Sequence, residues 1–240
     1  MNEGSKKEVL EEFRELKYWA FIGCSSVDKK WGRWLHKAIE TYPIPKDLIG
    51  RDNGADGNIP RRLFPIFRDR DELPSSADLN TAIRRALVQS RYLIVVCSPR
   101  AVRSRWVDEE VRQFKQARGE DRVLCVIVDG EPHAADKPDS NEQHECFPQA
   151  ARFRVGVDGR LRSEPAEPLA ADVRPSGDGR QRALLKLVAG IFQISFDDLI
   201  RRDQRRRARP CQDHCRCLAG SAMCICGFVI TLVLAVASDA

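Results

Sequence analysis

The chain has 240 residues, 42% hydrophobic and 31% charged, a balance that fits one sizeable globular domain with appendages. Its net charge of +5 does not mark a nucleic-acid binder, because residues 201–216 hold seven arginines against two acids, a surplus equal to that of the whole chain. Nine cysteines do not imply a disulfide framework, since Cys24, Cys97 and Cys125 fall in or beside apolar runs and read as small buried hydrophobes of a reducing compartment.

In chain order, residues 1–16 read as a charged lead-in helix without the apolar core of a signal peptide. Tyr18 to Cys24 is a continuous apolar run, the pattern of a strand buried on both faces. Asp28 to Tyr42 has helical spacing, with Trp31, Trp34, Leu35, Ala38 and Ile39 forming a stripe read as core. Residues 43–63 read as a long Gly/Pro/Asn/Asp loop. Its Asp52-Asn53-Gly54-Ala55-Asp56-Gly57 fails as a calcium loop, with Gly54 at position three and Leu63 where glutamate is required. Leu63 to Phe67 is a short strand. A helix capped at Ser75 or Ser76, with Asp78 completing a capping-box pattern, runs to Gln89. Tyr92 to Cys97 is a third buried strand, and Ser104 caps the next helix. Arg122 to Val128 is a fourth strand, residues 129–165 are loop-rich, and a short strand falls within Glu167 to Val173. Arg180 to Ile194 and Phe196 to Arg207 are helical. Strands alternating with amphipathic helices give a parallel sheet covered on both faces, whose ligands bind beyond the carboxyl ends of the strands.

Leu218 to Ala237 is twenty residues without a charge, about 30 Å as a helix and long enough to span a bilayer core. The arginines on its N-terminal side direct the main domain to the cytoplasm. Cys211, His214, Cys215 and Cys217 crowd together but match no common zinc spacing, so no metal is expected.

Trp106 and Glu110 are four residues apart and share one helix face. Asp108, Glu109 and Glu110 also lie in the first turns of that helix, where acids are favoured by the macrodipole. The pattern by itself leaves Glu110 open between a structural or solvated acid and a functional one, and Trp106 open between core and site wall.

Taken in order, these pieces resemble the Toll/interleukin-1 receptor (TIR) domain, in the branch common in bacteria. Box one of that family, a strand ending in a phenylalanine–isoleucine–serine–tyrosine–serine-like run, is matched by Phe21-Ile22-Gly23-Cys24-Ser25. The BB loop is matched by Arg68 to Ser76, the serine motif by Cys97-Ser98-Pro99, and the tryptophan–glutamate pair by Trp106 and Glu110. Two departures stand out: Gly23-Cys24 replaces a bulkier pair, and Ser75 stands where a glycine usually follows the loop proline.

The resemblance implies a flavodoxin-like three-layer α/β domain with a central parallel sheet over residues 17–200, then an Arg-rich linker over 201–217 and one transmembrane helix over 218–237. It implies an NAD+ nucleosidase, a glycohydrolase or also a cyclase, cleaving the nicotinamide–ribose bond on oligomerisation in anti-phage or stress signalling. Glu110 would be catalytic, and Phe21, Ser25, Asp69 and Trp106 would bind substrate. Arg68, Asp71, Glu72, Leu73 and Pro74 would form the assembly loop. NAD+ is then a substrate, with no cofactor, metal or nucleic acid required, and the partners are other copies of the chain and the membrane. The alternative is a scaffold that signals through TIR–TIR contacts without turnover. Chemistry fits the first reading: nicotinamide leaves neutral, the ribosyl fragment becomes oxocarbenium-like, and a carboxylate beside an aromatic wall suits that cation.

Overall fold

The computed structural model describes residues 16–54, 56–68, 79–137, 142–156 and 158–207. The lead-in helix, the loop positions Asp69, Asp71, Glu72, Leu73 and Pro74, the cap at Ser75 or Ser76, the Cys211–Cys217 cluster and the 218–237 span lie outside the described residues. Among the described residues no helix is long and apolar enough to cross a membrane.

A five-stranded parallel sheet carries the fold. Its strands are β1 (Tyr18–Gly23), β2 (Ile66–Arg68), β3 (Ser90–Cys97), β4 (Val123–Ile127) and β7 (Leu169–Asp172), in the order β2-β1-β3-β4-β7. β4 is buried at all five positions, as expected of a strand covered on both faces. Helices α1 (Lys29–Glu40), α2 (Leu79–Val88), α3 (Pro99–Val102), α4 (Arg105–Arg118), α5 (Gln149–Arg152) and α6 (Gly179–Phe192) complete the layers. On one face, Leu93, Val95 and Cys97 of β3 and Val123, Cys125 and Ile127 of β4 join Leu87 of α2 and Val107, Val111 and Phe114 of α4 in one core. The alternate residues of the strands, such as Ile94, Val96 and Val126, are equally buried. On that side Gly190 of α6 sits so close to Leu124 that an added Cβ would lie 3.2 Å from it.

The described residues up to Phe196 form one compact unit, and residues 197–207 belong to a second. In the second, residues 197–207 are helical, and Asp203 accepts hydrogen bonds from Arg206 and from Arg207 Nε, the latter at 2.7 Å.

Several sequence expectations need correction. Trp31 and Trp34 are half-buried rather than core. They meet edge to face at 5.8 Å, and the Arg180 guanidinium of α6 lies over both rings at 4.9 and 5.6 Å. A cation can cover an aromatic face that an apolar stripe analysis assigns to the core. The second strand starts at Ile66, not Leu63, and its first residue pairs with Ala20. The loop-rich 129–165 region contains α5 and an antiparallel hairpin, β5 (Phe153–Val155) and β6 (Leu161–Pro165). That hairpin is mostly exposed and polar, so it lacks the apolar alternation that marks a strand in sequence. The failed calcium loop has another use. Asp56 accepts from Tyr92 Oη at 2.9 Å and from Arg122 Nη1 at 2.8 Å, tying the loop to the start of β3 and β4.

Candidate active site

The parallel register brings the strand ends into one row. Gly23 pairs with Val95, Ile22 with Arg68, and Cys97 with Ile127, so the loops after β1, β2 and β3 leave the sheet at one edge. Ser104 starts α4 by accepting from Val107 N–H at 3.5 Å. The helix then carries Glu110 across the end of β1. Glu110 is 8% exposed, and its Oε2 lies 2.7 Å from where a Cβ on Gly23 would stand. The carboxylate therefore rests against bare backbone at the last residue of β1, a place only glycine leaves open.

A second glycine extends this cradle. Gly32, inside α1, would place a Cβ 3.1 Å from Cys24 Sγ and 3.7 Å from Arg68 Cδ. Glycine inside a helix costs about 1 kcal/mol relative to alanine. Here it makes room for the Cys24 side chain between α1 and Arg68. Cys24 is half-buried, unlike Cys97 and Cys125, because it lies just past the end of β1.

Beside the cradle lies a network that the sequence did not reveal. Asp28, 2% exposed, accepts from Ser98 Oγ at 2.6 Å through Oδ2 and from Arg100 Nε at 3.0 Å through Oδ1. Arg100 Nη2 also donates to Asp129 Oδ2 at 3.1 Å. Ser98 Oγ in turn caps α3 by accepting from Ala101 N–H at 3.1 Å. The serine motif thus fastens the start of α1 to the ends of β3 and β4, with both oxygens of a buried carboxylate engaged. Asp28 and Ser98 are 70 residues apart, so no local pattern joins them.

The remaining expected site residues fall as follows. Phe21 is fully buried and stacks on Phe67 at 5.2 Å, so its ring belongs to the core beneath the site and has no surface to offer a substrate. Strand alternation turns it toward the α2 and α4 layer, where Phe67 and Val111 also lie. Ser25 is 5% exposed and its hydroxyl accepts from Val27 N–H at 3.4 Å, within the turn that leads into α1. Trp106 is 51% exposed, which removes the core reading for that residue. It sits in the first turn of α4, one turn before the buried Glu110. Arg68, the last residue of β2, is half-buried at the edge of the cradle. Among the described residues no three His, Cys, Asp or Glu side chains converge as a metal site would require.

Comparison with known proteins adds two findings. The family profile described as TIR domain matches residues 21–150, more than half of the chain. The NAD(+) hydrolase ApTIR of Actinoplanes sp. is 35% identical over 144 residues, which make up 58% of this chain and 19% of that protein. The chain therefore spans about a fifth of the length of the curated relative it matches.

Proposed function

Since this chain belongs to the TIR-domain family, we propose that it cleaves NAD+ at the bond between nicotinamide and ribose, with Glu110 as the carboxylate that stabilises the ribosyl cation. The observation that carries this reading is the seat of Glu110 on Gly23, at the carboxyl edge of the sheet where ligands of such folds bind. A carboxylate held in a mostly dry place interacts with a developing positive charge far more strongly than one in water. The half-exposed Trp106, one turn before it, offers a face for a base or a ribose. The relative's designation as an NAD(+) hydrolase supports the same reaction.

The reading extends to a protein tethered to the membrane through residues 218–237, with its TIR domain in the cytoplasm, active on self-association through the Arg68–Ser76 loop in anti-phage or stress signalling. The tether rests on the uncharged, bilayer-length stretch, and the assembly role rests on the charged residues of the loop. A scaffold that assembles without turnover is the second reading. Trp106 favours it, because an exposed tryptophan also suits a contact with another protein.

The two readings separate in one experiment. The full chain is crowded on liposomes with NAD+, and nicotinamide release is followed. Glu110→Ala and Glu110→Gln should each lower turnover by about 10²-fold or more, with a cooperative thermal melt retained as the check that the variants are folded. Glu109→Ala is the control, since that side chain is 45% exposed and pairs with Arg112 at 3.9 Å. Release by Glu110→Ala at the unmodified rate would overturn the assignment. No release by any variant would favour the scaffold.

A further inference from the structure

Helix α4 has a second working face. Arg105 and Asp108 lie about 140–160° around the helix from Glu110, so they turn away from the cradle. There they line a cavity of 430 Å³ together with Arg103, Phe147, Gln149 and Arg152. Three arginines and one aspartate thus line the same recess, which is walled by the start of α4 on one side and by α5 on the other.

The charges in this recess are not equivalent. Asp108 is already engaged, accepting from Arg112 Nη2 at 2.9 Å and from Ala150 N–H at 2.7 Å. Arg152 is engaged too, paired with Asp136 and with its Nε 3.8 Å from Glu145. Arg103 and Arg105 are exposed and meet no carboxylate among the described residues. They also flank Ser104, the N-cap of a fourteen-residue helix. That end of the helix carries the positive pole of the macrodipole and disfavours cations. Two unneutralised arginines therefore stand where acids belong, beside a concave space of ligand size. The arrangement is unfavourable to the free protein and favourable to a bound anion, which would neutralise both side chains and complement the helix pole together.

We propose that this recess binds a small ligand carrying a diphosphate, with Arg103 and Arg105 holding the phosphates, Gln149 and Arg152 on the opposite wall, and Phe147 at the apolar floor. A single phosphate would leave most of the volume empty, and the concave shape suits a compact anion better than an extended acidic chain. The site is separate from the Glu110 cradle and does not depend on the reaction proposed there.

The test uses the full chain at constant ionic strength. Pyrophosphate should raise the melting temperature of the unmodified protein relative to an equal ionic strength of chloride, and ADP should bind measurably by calorimetry. The double variant Arg103→Gln, Arg105→Gln should lose the pyrophosphate effect and weaken ADP binding by about tenfold or more. Without ligand it should melt at the same or a higher temperature, because two cations leave the positive helix end. Glu110→Ala should keep the pyrophosphate effect. The proposal is overturned by any of four results: no effect on the unmodified protein, an equal effect on the double variant, a lower melting point for the ligand-free double variant, or loss of the effect in Glu110→Ala. Binding of a polyglutamate peptide without binding of pyrophosphate would also overturn it, in favour of a protein partner.

Discussion

Replacing Gly23 by alanine is the most direct challenge to the site. The new Cβ would lie 2.7 Å from Glu110 Oε2, and ordinary contact begins near 3.4 Å, so the carboxylate must withdraw by about 0.7 Å. The atom in the way is the far end of a flexible side chain, so it can rotate aside at small cost, near the low end of the about 1–3 kcal/mol typical of overpacking. Alanine also recovers about 0.5–1 kcal/mol of backbone entropy that glycine gives up in a strand. The two effects nearly cancel, and the melting temperature should stay within about 4 °C. Turnover should not be spared. A misplacement of about 1 Å costs about 10²-fold when a group must meet a reacting centre. A shift of about 0.7 Å should then lower NAD+ consumption by about 10- to 100-fold, or about 1.4–2.7 kcal/mol on the barrier. The assay is nicotinamide release by the purified, membrane-crowded chain, read beside a thermal melt. Adding Glu110→Gln to Gly23→Ala should cause little further loss beyond Glu110→Gln alone, because both act on one carboxylate. Full turnover by Gly23→Ala would refute the idea that Glu110 works from this seat.

Three further outcomes follow from the same geometry. Ser98→Ala removes the 2.6 Å donor to the buried Asp28 and the cap on α3, and should cost about 1–3 kcal/mol in a denaturant melt, an effect absent from Ser26→Ala in the neighbouring exposed turn. Burial and the neighbouring Asp56 push the Tyr92 hydroxyl up from 10.0 to about 12. The unfolded chain then loses this proton first, so stability should fall as pH rises from 10 to 12, and Tyr92→Phe should flatten part of that fall; an alkaline limb identical in both proteins would refute it. Deleting residues 218–240 should move the protein from the membrane pellet to the supernatant after lysis, and an unmodified chain already in the supernatant would remove the tether from the proposal.

How much was legible in the sequence depends on the range of the interaction. Buried strands such as Tyr92 to Cys97 announced themselves, because a parallel sheet covered on both faces needs unbroken apolar runs. The start of α4 was legible at Ser104, because a cap acts across three residues. Strand alternation and helix order then implied a parallel sheet with its chemistry at one edge. Tertiary structure alone decided the rest. Nothing in the local sequence says that Gly23 is bare in order to seat a carboxylate 87 positions away, or that Asp28 waits for Ser98 and Arg100. It also does not say that Trp31 and Trp34 lie under Arg180 rather than in the core. Composition and periodicity record what each segment does with water. Which buried charge meets which glycine, hydroxyl or guanidinium is set only when the strands are in register and the helices have packed across them.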